Sequence, residues 1–168
     1  MQRAGGMRVQ GSDDSSVESL SLDEIRRYGP ELHERFRRIQ VGAIPRDQVA
    51  WRLRTGELRN PYREWTEPAA VLCRGADGTP AGMTVYHVDD RWQDGDPDFA
   101  LTVQDMFAVH PAATGALWRH LPGMEWVRRI VTASIGPDDP LPLRLGNPRA
   151  CVPQPGLEQT TSGCASWT

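Results

Sequence analysis

At 168 residues, with 39% apolar and 24% charged residues, the chain is sized for one globular domain with tails. A net charge of −3 excludes a broad electrostatic pull toward nucleic acid. All 19 basic residues are Arg, which excludes a Lys nucleophile, a Schiff base and a P-loop Lys; the codon usage of a GC-rich genome accounts for the bias.

Residues 1–15 hold Gly5, Gly6, Gly11 and a polar Ser/Asp cluster, and read as a linker or disordered start. A globular domain is expected over 16–150. Residues 17–22 alternate as a short strand. Asp23 and Glu24 then open a helical stretch at its favourable end. Gly29-Pro30 is expected to break it, with Pro30 in the first turn of a second helix over 30–40. There Leu32, Phe36 and Ile39 fall at i, i+4 and i+7 as one apolar stripe, and Arg35, Arg37 and Arg38 form a solvated face.

A further helix is expected over 47–56, with Val49 and Leu53 as its core contact. Trp51 lies roughly 200° around the helix from Val49 at 100° per residue. It points away from that contact, so it either packs on another layer or borders a substrate pocket. It is the one candidate pocket residue of the chain.

From Ala69 the period changes to two. Strands are expected over 69–74, 81–89 and 99–109, joined by connections too short for crossovers, so the three form an antiparallel meander. His110-Pro111 ends the third strand, and a helix over 112–121 follows. A strand over 126–135 comes next, and Asp138-Asp139-Pro140 caps a helical turn over 141–145. From Cys151 to the end the pattern dissolves among breakers, and 151–168 is expected to be a disordered tail.

Cys73, Cys151 and Cys164 are odd in number and show no CxxC or His-paired spacing, so neither a disulfide framework nor a metal site is expected. Cys73 sits in an apolar run as a small core residue. No stretch approaches the roughly 18–20 apolar residues that a membrane helix needs. Residues 1–10 lack the apolar region of a signal peptide. A cytoplasmic protein with no membrane partner is expected.

Helices, a three-stranded antiparallel meander, a helix and another strand make an α+β mixed sheet flanked by helices, the layout of a GNAT (acyl-CoA N-acyltransferase) fold. Four segments resemble the central domain of the Eis (enhanced intracellular survival) family of N-acetyltransferases. The run Gly42-Ala43-Ile44-Pro45-Arg46-Asp47 with Trp51 is similar to the family's Gly…Arg-Asp…Trp. The strand Gly82-Met83-Thr84-Val85-Tyr86-His87-Val88 resembles its G-Y-x-x-Y-R-V, with His87 in place of the usual Arg. Val109 through Arg119 resembles its A-L-W-R segment, with Gly115 replacing a better helix former. Asp138-Asp139-Pro140-Leu141-Pro142, with Asn147-Pro148-Arg149, resembles its D-D-P-L-P and D-P-R signature.

The resemblance implies acetyl transfer from acetyl-CoA to amines such as aminoglycosides. It also implies two parts outside this chain: an N-terminal GNAT domain that binds acetyl-CoA, and a C-terminal sterol-carrier-like domain ending in a catalytic carboxylate. Intact relatives form hexamers. The family's general-acid Tyr and carboxylate belong to those other parts, so no catalytic residue carries over, and this chain is expected to be an inactive fragment that binds no cofactor alone. The resemblance stops after Arg149, which implies a truncation or frameshift there and an exposed edge on the last strand.

The residues themselves agree. A GNAT pyrophosphate turn, (Arg/Gln)-x-x-Gly-x-(Gly/Ala), offers backbone N–H groups at a helix start. The corresponding Val109-His110-Pro111-Ala112-Ala113-Thr114-Gly115-Ala116 lacks the Arg or Gln and the paired glycines, and Pro111 removes a donor. His87 with Asp89 could form an acid/base pair but reads more simply as a solvated strand end. Tyr86 reads as a sheet-face aromatic, and Asp138-Asp139 as a cap. A self-sufficient small GNAT enzyme and a non-enzymatic binding module using exposed Trp residues are the alternatives.

Overall fold

The computed structural model describes residues 16–62, 64–93, 95–125, 127–132, 151–153 and 165–167. The elements run β1 (Ser16–Leu20), α1 (Leu22–Ile39), α2 (Gln48–Arg54), β2 (Ala69–Arg74), β3 (Pro80–Gln93), β4 (Asp96–Ala108), α3 (Pro111–His120), β5 (Val127–Thr132), β6 (Cys151–Pro153) and β7 (Ala165–Trp167). The sheet order is β1-β2-β3-β4-β5-β7-β6. β1 pairs antiparallel with β2, and β4 pairs parallel with β5 from Phe99 opposite Val127 to Val103 opposite Thr132. This is the expected mixed α+β sheet. The parallel pair exists because α3 provides the crossover length that a hairpin lacks.

Two compact units share the chain. One holds the described residues of 14–85 and 106–117; the other holds those of 86–105 and from 118 onward. The core of the first is Ile25, Leu32, Trp51, Ala70, Leu72, Met83, Val85 and Phe107.

Sequence dictates α1 at its start. Ser21 is the N-cap: its Oγ accepts from the Glu24 N–H at 3.3 Å, and Glu24 Oε2 accepts from the Ser21 N–H at 2.8 Å. This is a complete capping box. The expected break at Gly29-Pro30 does not occur; α1 is one helix of 18 residues with Pro30 inside it. Gly29 is instead a packing notch, because a Cβ there would lie 2.6 Å from Cζ3 of Trp51. The buried face is Ile25, Gly29, Leu32 and His33, with Phe36 packed against it. Ile39, expected on that stripe, is exposed. Of the Arg face, Arg37 and Arg38 pair with Glu34, while Arg35 donates to the Pro80 carbonyl at 2.8 Å and ties α1 to the start of β3.

The face of α2 is the reverse of the expected one. Val49 is exposed, and Trp51 is the helix's buried residue. Leu53 is half-buried, and Trp51 takes the interior because its ring finds aromatic partners there, His33 and Phe107.

β3 reaches Gln93, so His87 and Asp89 lie within the strand and not at its end. Two three-residue strands fall where the composition predicts disorder. β7 pairs with β5 and β6 pairs with β7, both antiparallel, so β5 is not the exposed edge expected of it. Segments of three residues carry no readable period, and only their pairing defines them. The linker at 1–15, the Asp138-Asp139 cap and the helical turn at 141–145 lie outside the described residues.

Candidate functional site

The turn from β4 into α3 is where the resemblance leads one to expect a cofactor's pyrophosphate. β4 ends at Ala108, and the Val109 N–H donates to the Ala81 carbonyl at 2.8 Å, closing the strand against β3. Pro111 opens α3 because its fixed φ suits a first helical residue and its missing N–H is no loss there. The Thr114 N–H donates to the His110 carbonyl at 3.2 Å, and Thr114 Oγ1 approaches the same carbonyl at 3.4 Å. α3 lies close on the sheet because Gly82 has no side chain. A Cβ there would sit 3.0 Å from both Ala108 Cβ and Leu117 Cδ1.

The rim of this turn consists of His110, Pro111 and Ala112, all exposed. Pro111 cannot donate, and the Thr114 amide and hydroxyl are both directed to His110. The helix start keeps its partial positive charge. Pro111 removes one first-turn donor and leaves the Ala112 and Ala113 N–H groups where a pyrophosphate cradle uses several. The residues present fit acetyl-CoA's pyrophosphate poorly.

Trp51, expected either to pack on another layer or to border a substrate pocket, is 6% exposed and packs in the core of its own unit. Its ring meets His33 edge-on at 5.9 Å and Phe107 at 6.3 Å, and His33 in turn meets Phe107 at 5.3 Å and Phe36 at 6.0 Å. The Arg46 guanidinium stands over both Trp51 (5.6 Å) and Phe107 (5.5 Å). Asp47 caps α2, its Oδ1 accepting from the Ala50 N–H at 2.8 Å. The Arg-Asp…Trp run is therefore a device for seating α2: cap, stacked cation and core ring in one stretch. The sequence carried its spacing, but the ring partners on α1 and β4 are distant in the chain and no local pattern points to them.

The weaker candidates are resolved in the same way. Tyr86 is buried, and burial pushes its phenol above the usual value, so it keeps its proton as a core aromatic. His120, which no motif singled out, is held below the ordinary imidazole range by burial. His87 and Asp89 are both half-buried on β3. Among the described residues no group of three or more His, Cys, Asp or Glu could hold a metal ion, and no helix is long and apolar enough to cross a membrane.

A mixed sheet with parallel β4 and β5 joined through α3 is the arrangement of the GNAT acyltransferases. The acetyltransferase (GNAT) domain family matches residues 42–157, and the chain belongs to that family. It is 40% identical over 143 residues to an uncharacterized N-acetyltransferase of Streptomyces griseus, covering 84% of this chain and 34% of that protein. A counterpart in Streptomyces avermitilis is 39% identical over 139 residues, covering 82% and 33%. The chain thus spans about a third of the length of these curated relatives. In fold it is similar to Eis1 from Mycobacterium abscessus, with TM-score 0.62 and 19% identity over 98% of this chain and 39% of that one. It is also similar to a probable N-acyltransferase from Enterococcus faecalis, with TM-score 0.60 and 14% identity over 95% and 36%.

Proposed function

We propose that this chain is the central, non-catalytic domain of an Eis-like N-acetyltransferase of the cytoplasm, a protein that transfers acetyl groups from acetyl-CoA to amines such as aminoglycosides. The donor is bound and the chemistry is done by the parts outside this chain, an N-terminal GNAT domain and a C-terminal sterol-carrier-like domain. The assembled protein is a homo-oligomer. The β4–α3 turn carries this reading. Its helix is headed by Pro111, which removes one of the first-turn N–H donors, and the Thr114 amide is taken by the His110 carbonyl, so only Ala112 and Ala113 carry first-turn N–H groups there. The resemblance of 17–150 to the Eis central domain supports it, as does the small share, 34% and 33%, that the matched region makes of the curated relatives.

The test is turnover. Purified chain is incubated with acetyl-CoA and a panel of aminoglycosides, and released CoA thiol is followed. The expected rate equals the protein-free control. Loss of an acid–base pair alone costs roughly 10²–10⁴-fold, before any loss of donor binding. Reproducible turnover above the control would replace this reading with a self-sufficient small GNAT enzyme.

A further inference from the structure

Between Ile39 and Val49 the unit containing α1 and α2 exposes four aliphatic side chains: Ile39 (61%), Val41 (95%), Ile44 (77%) and Val49 (48%). They occupy the end of α1, the connecting loop and the first turn of α2. The two charged side chains of the same stretch are engaged elsewhere. Arg46 stands over the Trp51 and Phe107 rings, and Asp47 accepts the Ala50 N–H. Arg38, just before the stretch, is paired with Glu34. What faces solvent is therefore a strip of four aliphatic side chains with Gln40, Gln48 and the exposed Asp47 as its polar side chains. Single exposed aliphatics need no explanation, whereas several in one short stretch mark a contact surface.

We infer that this strip is the docking surface for polypeptide that the longer relatives carry outside the region shared with this chain, a domain–domain interface within one protein. The inference rests on the proposed reading of the chain as one domain of a longer acetyltransferase. The shared region is 34% of the Streptomyces griseus relative, which leaves ample chain to cover it. Size favours this occupant over a second copy. Four aliphatic side chains fall short of the roughly 800 Å² per partner that a stable dimer buries. Domain interfaces within a chain begin at about 600 Å² in total, and a tether raises the effective concentration to the millimolar range, so a small patch suffices. An anionic membrane is disfavoured because Arg46 is turned onto rings and the exposed Arg38 stands in the chain between Glu34, with which it pairs, and the exposed Asp47, leaving little net positive charge beside the strip.

Thiol labelling tests this. Val41→Cys and Ile44→Cys are made in this chain, with Cys151→Ser and Cys164→Ser as background and buried Cys73 left in place. Cys is also placed at the two aligned positions of the full-length Streptomyces griseus relative, each read against the unsubstituted protein. Maleimide should modify this chain at the rate of an exposed thiol and the full-length relative at least tenfold more slowly. Equal rates overturn the inference. So does protection of this chain that grows with its own concentration, which assigns the strip to a second copy. Protection only on adding anionic vesicles assigns it to a membrane and overturns it as well. Acetyl transfer by the full-length relative is measured on the same samples. Activity beside unprotected thiols sinks the inference and leaves the functional reading standing.

Discussion

Gly29 sets how closely α1 and α2 approach, and two opposed effects meet at it. In a helix interior, replacing Gly by Ala gains up to about 1 kcal/mol of propensity. Here the added methyl would meet the Trp51 ring at 2.6 Å, and overpacking of that kind costs about 1–3 kcal/mol. The clash wins, so Gly29→Ala is expected to lower stability. In a Trp51→Leu background the same substitution is expected to raise it. A double-mutant cycle by urea denaturation reads the sign reversal, and the same sign in both backgrounds contradicts the notch. At the surface, Glu34 accepts two hydrogen bonds from Arg37, at 2.7 and 2.8 Å, and Arg37's donation is the main cause holding its carboxyl down at about 2. A depressed folded-state pKa stabilises the fold above the unfolded value of 4.5 and loses that contribution as pH falls from there toward 2. NMR titration should place the Glu34 midpoint near 2, and Arg37→Gln should move it upward. A midpoint near 4.5 in the unsubstituted protein would contradict the pairing.

At the scale of elements, α1 keeps a proline within its length. Pro30 cannot donate to the carbonyl four residues back, and in a helix interior that costs about 3 kcal/mol. Pro30 is exposed, so Pro30→Ala should remove the cost without disturbing the core and raise Tm by several degrees. A fall in Tm would mean that the helix is shaped by the proline. This element also shows what sequence could and could not reveal. The strands, whose period of two is local, were legible, as was the acidic start of α1, whereas the Ser21…Glu24 box and the Asp47 cap, though equally local, were not singled out. Gly29-Pro30 was misread because the local rule for that pair is a break, whereas the helix runs through it and Gly29 serves as a notch for a Trp from another helix. The face of α2 failed for a related reason. In seven residues, periodicity cannot outvote one ring whose partners, His33 and Phe107, lie far away in the chain. The candidate site was legible mainly as a deficiency. Pro111 at a helix start is visible in sequence, whereas Thr114's engagement with His110 and the Gly82 notch under α3 are visible only in three dimensions.

For the whole molecule, family membership and cofactor capacity are separate matters. The GNAT fold is present, with β4 and β5 parallel and α3 between them. Fold alone does not supply the N–H cradle at α3, and function resides in such sites. The measurement that bears most directly on this account is the thermal stability of the purified chain as acetyl-CoA is titrated. A ligand that binds only the folded state stabilises it by about 2.7 kcal/mol at a hundredfold excess over Kd, which is a rise of roughly 5–11 °C for a domain of this size range. The account predicts no change in Tm up to millimolar acetyl-CoA. A saturable rise of several degrees would contradict it and assign this chain a donor site of its own.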